Sequence, residues 1–429
     1  MGFDGFDIPA DLDTPVSAFL KLAVLEPRYL LESVEGGERV GRYSFLGLGE
    51  AEEIRCRADA ERIRRALERA PRLEPKLPGV PFHGGLVGAV AYGDTDSVFL
   101  APRSVLVFDH VTRRAALLHA GPASERRDVR AEIVRALHGP IPAPPRGAAQ
   151  PGPIVASFDR AGFCDAVTRA QEAIREGEVY QLVLSIRFRA AYEGDAFALY
   201  RALRLLNPSP YTFFLRFGGA TLVGSSPEAL VKLSGRTASL RPIAGTRPRG
   251  ADEAQDLALE AELATDPKEA AEHVMLVDLA RNDLGRVAVP GSIAIRPSRA
   301  VERYSHVMHL VSGVSGVLAP ERDGLDLFAS CFPAGTVTGA PKVRAMELIR
   351  EMEPVAREFY AGCVGYFGLD GSLDQAITIR TLWVADGAVT FQAGAGIVAD
   401  SVPEAEYREV LAKAEAMRAV LARAGEVVA

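Results

Sequence analysis

Apolar and polar positions change period along this chain. Between 159 and 176, Phe163, Val167, Ala170 and Ile174 recur at three- and four-residue steps, which predicts an amphipathic helix. Helical patterns also cover 252–263, 266–279, 342–351 and 403–423, and an arginine-rich helix falls within 51–70. In 403–423, Tyr407, Val410, Leu411, Ala414, Met417 and Leu421 make one stripe able to dock on a core. Short apolar or alternating runs bounded by turn residues predict strands at 86–92, 104–108, 180–188, 212–217, 220–223, 238–240, 364–368, 377–384 and 389–393. Strands and helices come in runs rather than in strict βαβ alternation. That order predicts an α+β fold with two β-sheets packed in a sandwich and helices outside.

One stretch interrupts the pattern. GPIPAPPRGAAQPGP, residues 139–153, is too rich in proline and glycine for a helix or a central strand, and reads as a surface linker. It separates an N-terminal region, 1–138, from a larger region, 154–429.

Composition narrows the class. The 429 residues are 48% hydrophobic with a net charge of -7, which fits a globular enzyme and gives no basic footprint for nucleic acid. No apolar run approaches the roughly 20 residues of a membrane span, and the acidic start, MGFDGFDIPADLD, lacks a signal-peptide layout. Cys56, Cys164, Cys331 and Cys363 form no CxxC or metal-type pairing and are expected to be small core residues. A cytoplasmic protein is the expectation.

Candidate chemistry begins with carboxylates at helical spacing. Asp266 and Pro267 make a good helix start, with Glu269 in the capping-box position and Glu272 three residues on, along one face. In the last helix, Glu406, Glu409 and Lys413 share a face. Two such helices are able to share Mg²⁺, which takes few carboxylates plus waters and substrate oxygens, although solvated faces show the same spacing. Gly394 and Gly396 flank Ala395, either as a tight turn or as backbone open to an anion. Arg380, in the apolar run AITIRTLWV, needs a carboxylate from the protein or a ligand. RPIAGTRPRG and CFPAGTVTGAPK are turns of the kind that line pockets, and neither is a P-loop.

GEVYQLVLS, VGSSPEALV, RPIAGTRPRG, DPKEAAEHVMLVDLARNDLGRV, VERYSHVMHLVS, FPAGTVTGAPK, YAGCVGYF, AITIRT and AGAGIVADSVPEAEYREVLAKA follow one another over nearly all of 160–415. In this order they closely resemble the chorismate-utilising family, which includes the anthranilate, aminodeoxychorismate, isochorismate and salicylate synthases. The resemblance implies that Glu272 and Glu409 hold Mg²⁺ against the ring carboxylate of chorismate, with Glu269 and Glu406 behind them. It sets the enolpyruvyl carboxylate against Arg380 and the amides of Gly394, Ala395 and Gly396. Gly245, Thr246, Thr336 and Tyr360 line the pocket. Glu228 matches the general acid for the departing C4 hydroxyl, and His309 a histidine near the ring when the C2 proton is removed.

Two positions separate the members. Water-adding members resemble YxK where this chain has Tyr180 and Gln181; glutamine cannot serve as the general base. Aminodeoxychorismate relatives usually read PIKGT where this chain has Ala244. Both positions resemble the members that add ammonia at C2 and expel pyruvate to give anthranilate, the first step of L-tryptophan biosynthesis. The N-terminal LLES resembles a feedback site for L-tryptophan, with Glu32 and Ser33 facing Pro210, Tyr211 and Thr212 of NPSPYT. Thr212 replaces a usual methionine, which predicts weaker inhibition, and Ile186 stands where glutamine is commoner. No cysteine sits in a Gly-x-Cys-x-Gly elbow, so a separate glutamine amidotransferase is expected to supply ammonia, in a heterotetramer as is usual for the family. The alternatives are aminodeoxychorismate synthesis on the folate branch and a non-catalytic tryptophan-responsive binding protein on the same fold.

Overall fold

A computed structural model of the chain describes residues 5–32, 41–57, 59–93, 95–143, 150–303 and 307–426. Among them, 19 strands join one continuous ladder and three more make a separate small sheet. Pairing is antiparallel throughout, and helices cover the outside, so the fold is α+β as expected.

Two long strands explain how one ladder makes two layers. Tyr43–Cys56 and Ser97–Asp109 pair along most of their length, and the register shifts between Leu48 and Ala51. Gly49 in that shift takes a φ of +68°, a turn that favours glycine. A bulge there bends the ladder from one layer into the other. The facing surfaces meet in an apolar layer contributed largely by strands, including Tyr29, Phe45, Val87, Leu100, Phe213, Leu215, Leu222 and Val364. One outer face packs Leu46, Leu106, Phe214 and Phe391 under helices Arg160–Arg175, Ala196–Leu206 and Pro403–Arg423. The other packs Phe99, Val231 and Phe367 under Ala60–Arg69 and Gly324–Cys331. Strands from both sides of the proline-rich stretch share ladders: Pro27–Glu32 pairs with Tyr211–Phe217, and Gly85–Val90 with Cys363–Gly368. No helix of the described residues is long and apolar enough to cross a membrane.

Three local expectations change. Residues 51–56 finish a strand before the arginine-rich helix Ala60–Arg69 begins. The run 377–384 is two strands, Leu373–Ile377 and Thr381–Ala385, broken at Arg380, whose φ of +50° takes it out of the pleat. Gly394–Gly396 is no tight turn but the end of the strand Ala388–Ile397, paired with Gln181–Ala191.

Candidate active site

The strand end 394–397 is built to let side chains approach. A Cβ at Gly394 would stand 2.8 Å from the Tyr360 hydroxyl, and one at Gly396 would stand 2.6 Å from the Gln181 amide nitrogen. Two expected pocket residues therefore occupy the space the glycines leave. Burial pushes the Tyr360 phenol up to about 12, so it keeps its proton as a donor. The Gly394 carbonyl accepts from Lys413 Nζ at 3.1 Å, beyond where Thr381–Ala385 pairs with this strand, so the Gly394 N–H faces the same open edge. Lys413 also bonds Glu409 at 2.7 Å, which ties the last helix to this edge. Ala395 points the other way, fully buried in the core.

Glu228 and Arg380 stand on neighbouring chain segments. Ile377 donates its N–H to the Glu228 carbonyl at 3.0 Å, and Ser225 donates to the Arg380 carbonyl at 3.2 Å. Burial raises the Glu228 carboxyl to about 7, opposed by the Thr336 hydroxyl beside it. That hydroxyl is buried and has no well-formed hydrogen bond. Arg380 is accessible to solvent, yet the surrounding protein desolvates its guanidinium and lowers its pKa. It was expected to point into a sheet; instead it stands at a strand break and donates to Asn207 Oδ1 at 2.7 Å. Among the described residues no carboxylate pairs with it. An accessible cation without a carboxylate partner among the described residues and a buried acid poised near neutrality thus stand on neighbouring segments.

The turn bearing Thr336 links these groups to the glutamate helix. Gly335 lies against Leu279 of helix Pro267–Gly285, where a Cβ would stand 1.8 Å from the leucine side chain, and the turn also contacts the Gly394 strand. On that helix, His273 Nε2 shares a 2.7 Å hydrogen bond with Ser312 Oγ, beside the strand of His309. His309 Nδ1 lies 2.9 Å from the Gly245 carbonyl and 3.1 Å from the Thr246 hydroxyl. A carbonyl only accepts, so Nδ1 carries a proton, and in the neutral form of the ring the lone pair is then on Nε2. Asp266 caps the helix by accepting from the Glu269 N–H at 3.1 Å. The Glu269 carboxylate pairs with Arg247 at 3.2 Å, and a Cβ at Gly245 would stand 3.0 Å from it. Glu272 and Glu409 are exposed and Glu406 is half-buried. Among the described residues, no three His, Cys, Asp or Glu side chains converge as a metal-holding group.

A family model described as chorismate binding enzyme matches residues 26–419. The chain belongs to the chorismate-binding enzymes. It is similar to anthranilate synthase component 1 of Thermus thermophilus, 46% identical over 95% of each chain. The Streptomyces coelicolor protein of the same name is 47% identical over 96% of this chain and 88% of its own. The crystal structure of anthranilate synthase component I from Streptococcus pneumoniae superposes with a TM-score of 0.80, at 33% identity, over 90% and 93% of the two chains.

Away from these groups of the chorismate-binding enzyme, the expected feedback residues partly meet. Glu32 and Thr212 are direct partners across two strands. The Glu32 carboxylate is buried and held by Arg204. Thr212 is 1% exposed, and Tyr211 donates to Asp374 at 3.1 Å. Pro210 is half-buried on the same turn, and Ser33 lies outside the described residues. Ile186 is an ordinary core residue.

One network escaped the sequence reading. Buried Arg357 binds Glu353 at 2.6 Å and also donates to the carbonyls of Val337 (2.7 Å) and Val183 (2.6 Å). Its guanidinium lies 5.6 Å from the Tyr360 ring centroid, and Glu353 accepts from Ser185. Arg357 thus fastens the Thr336 turn, the Gln181 strand and Tyr360 from behind. The four-residue spacing of Glu353 and Arg357 was the available signal.

Proposed function

We propose that this chain is the synthase component of an anthranilate synthase, aminating chorismate with ammonia and releasing pyruvate. The observation that carries this reading is that a buried acid raised to about 7, Glu228, and Arg380, which has no carboxylate partner among the described residues, stand on adjoining segments.

Each half of the reaction uses groups already described. Arg380 and the Gly394 edge receive the enolpyruvyl carboxylate, and Tyr360, Thr336, Gly245 and Thr246 line the ring. Ammonia uses its lone pair to form a bond at C2 as the ring double bonds shift. The C4–O bond breaks, and the Glu228 proton converts the leaving hydroxide into water. Such proton donation is worth about 10²–10⁴ in rate. In the second half, Nε2 of His309 takes the C2 proton, the freed pair closes the aromatic sextet, and the C3–O bond breaks to release enolpyruvate. Gln181 orients within the pocket and supplies no base, and Ala244 leaves the ring without a nearby ammonium.

The oxygen donors of Glu272 and Glu409 fit Mg²⁺, which needs only one or two protein carboxylates when substrate and water complete its shell. Bound there, the ion would supply positive charge for the ring carboxylate, with Glu269 and Glu406 on the same helix faces as the residues that would hold it. All four cysteines are free and three are buried, which supports a reducing, cytoplasmic setting and leaves glutamine hydrolysis to an amidotransferase partner in a heterotetramer. Glu32, Ser33, Pro210, Tyr211 and Thr212 receive L-tryptophan as feedback inhibitor.

Glu228→Gln tests the reading: turnover should fall at least about 100-fold while titration calorimetry still detects chorismate. Undiminished turnover would remove Glu228 as the acid.

A further inference from the structure

We infer that Asn207 is a positioning residue that sets the direction of the Arg380 guanidinium; this rests on reading Arg380 as the receiver of a substrate carboxylate. Three hydrogen bonds close a ring. Arg380 Nη1 donates to Asn207 Oδ1 at 2.7 Å, Asn207 Nδ2 donates to the Ser225 carbonyl at 3.3 Å, and the Ser225 N–H donates to the Arg380 carbonyl at 3.2 Å. The ring fixes both ends of Arg380, backbone and guanidinium, to the same two residues. It also determines the amide orientation, because a guanidinium only donates and a carbonyl only accepts.

Asn207 is itself well held. It follows helix Ala196–Leu206, its N–H bonds the Leu203 carbonyl at 2.8 Å, and its carbonyl accepts from the Ser225 hydroxyl. A neutral amide suits the task. Arginine has many rotamers to lose, and a fixed acceptor removes them before the ligand arrives. A carboxylate at this place would hold the guanidinium equally but cancel the charge that a dianion needs. Asn207 thus directs Arg380 without neutralising it.

The test compares Asn207→Ala, Asn207→Asp and Arg380→Gln for chorismate KM, kcat and melting temperature. Asn207→Ala should raise KM about tenfold with kcat within about twofold, because binding is disturbed more than chemistry. Asn207→Asp, which keeps the shape and an acceptor oxygen, should melt near the wild type yet raise KM further by neutralising Arg380. Similar losses of kcat and melting temperature in both, with KM unchanged, would reduce Asn207 to a helix cap and overturn the inference. Should the alanine variant fail to fold, the aspartate variant decides alone: a wild-type KM overturns the inference. Arg380→Gln separates the two layers of the argument. If it leaves KM unchanged, the substrate reading of Arg380 fails; if it raises KM while the Asn207 variants do not, only the positioning role fails.

Discussion

Gln181 lies so close over Gly396 that a Cβ on the glycine would stand 2.6 Å from its amide nitrogen. The neighbouring Gly394 is crowded differently, with the Leu184 carbonyl and the Tyr360 hydroxyl each 2.8 Å from its would-be Cβ. A side-chain amide swings away more easily than a strand backbone. Gly396→Ala should therefore fold normally and lose kcat/KM by displacing Gln181, whereas Gly394→Ala should also lose about 1–3 kcal/mol of stability. Denaturant melts and steady-state kinetics on the two variants check the contrast; equal stability losses would contradict it.

Glu228 links activity to stability through pH. Its carboxyl is raised from 4.5 to about 7 in the folded protein, so between those values the folded state binds the proton that the unfolded state releases. The stabilising contribution is complete below 4.5 and is lost as pH rises through about 7. Glu228→Gln is uncharged throughout, so it should melt close to the wild type at pH 4.5 and above it at pH 8, by at most about 3 kcal/mol. Turnover by the wild type should fall above pH 7 as the acid loses its proton. Matching melting shifts at the two pH values would contradict the burial argument.

Exposed Glu272 and Glu409 contribute little to folding, since even the Glu409–Lys413 pair is half exposed and worth about 1 kcal/mol at most. Glu272→Gln should abolish Mg²⁺-dependent turnover with an unchanged melt, and Glu406→Gln should raise the Mg²⁺ requirement about 10–100-fold. Magnesium titrations of initial rate read both. Retained activity in Glu272→Gln would show that the ion is held elsewhere.

Thr212 faces Glu32 across the ladder and offers a methyl and a hydroxyl where an apolar ligand would profit from a longer side chain. Thr212→Met should lower the half-inhibitory concentration of L-tryptophan about tenfold. Inhibition curves at fixed chorismate would show it, and an unchanged curve would exclude Thr212 from the inhibitor's surroundings.

Long amphipathic elements were legible in the sequence because one face is core and the other solvent. The helix Pro403–Arg423 ends where its apolar stripe predicts, and Asp159 caps Arg160–Arg175. Ala196–Leu206 gave no such signal because it is buried on several sides, and Ala123–Leu137 because only Ile133 and Leu137 are fully covered. In the site, motif resemblance named Glu228 and Arg380, but their surroundings depend on long-range pairing. Nothing local reveals that Arg380 breaks a strand at a positive φ, or that Asn207, 173 residues earlier, receives its guanidinium. The glycines at 394 and 396 signalled open backbone; that Tyr360 and Gln181 fill the opening is a tertiary fact.

The central claim is tested most directly by the product made from chorismate, ammonium and Mg²⁺ with the purified chain alone. The account predicts a fluorescent ortho-amino acid, anthranilate, formed together with one equivalent of pyruvate. Accumulation of 4-amino-4-deoxychorismate without pyruvate, or no turnover at saturating ammonium, would contradict it.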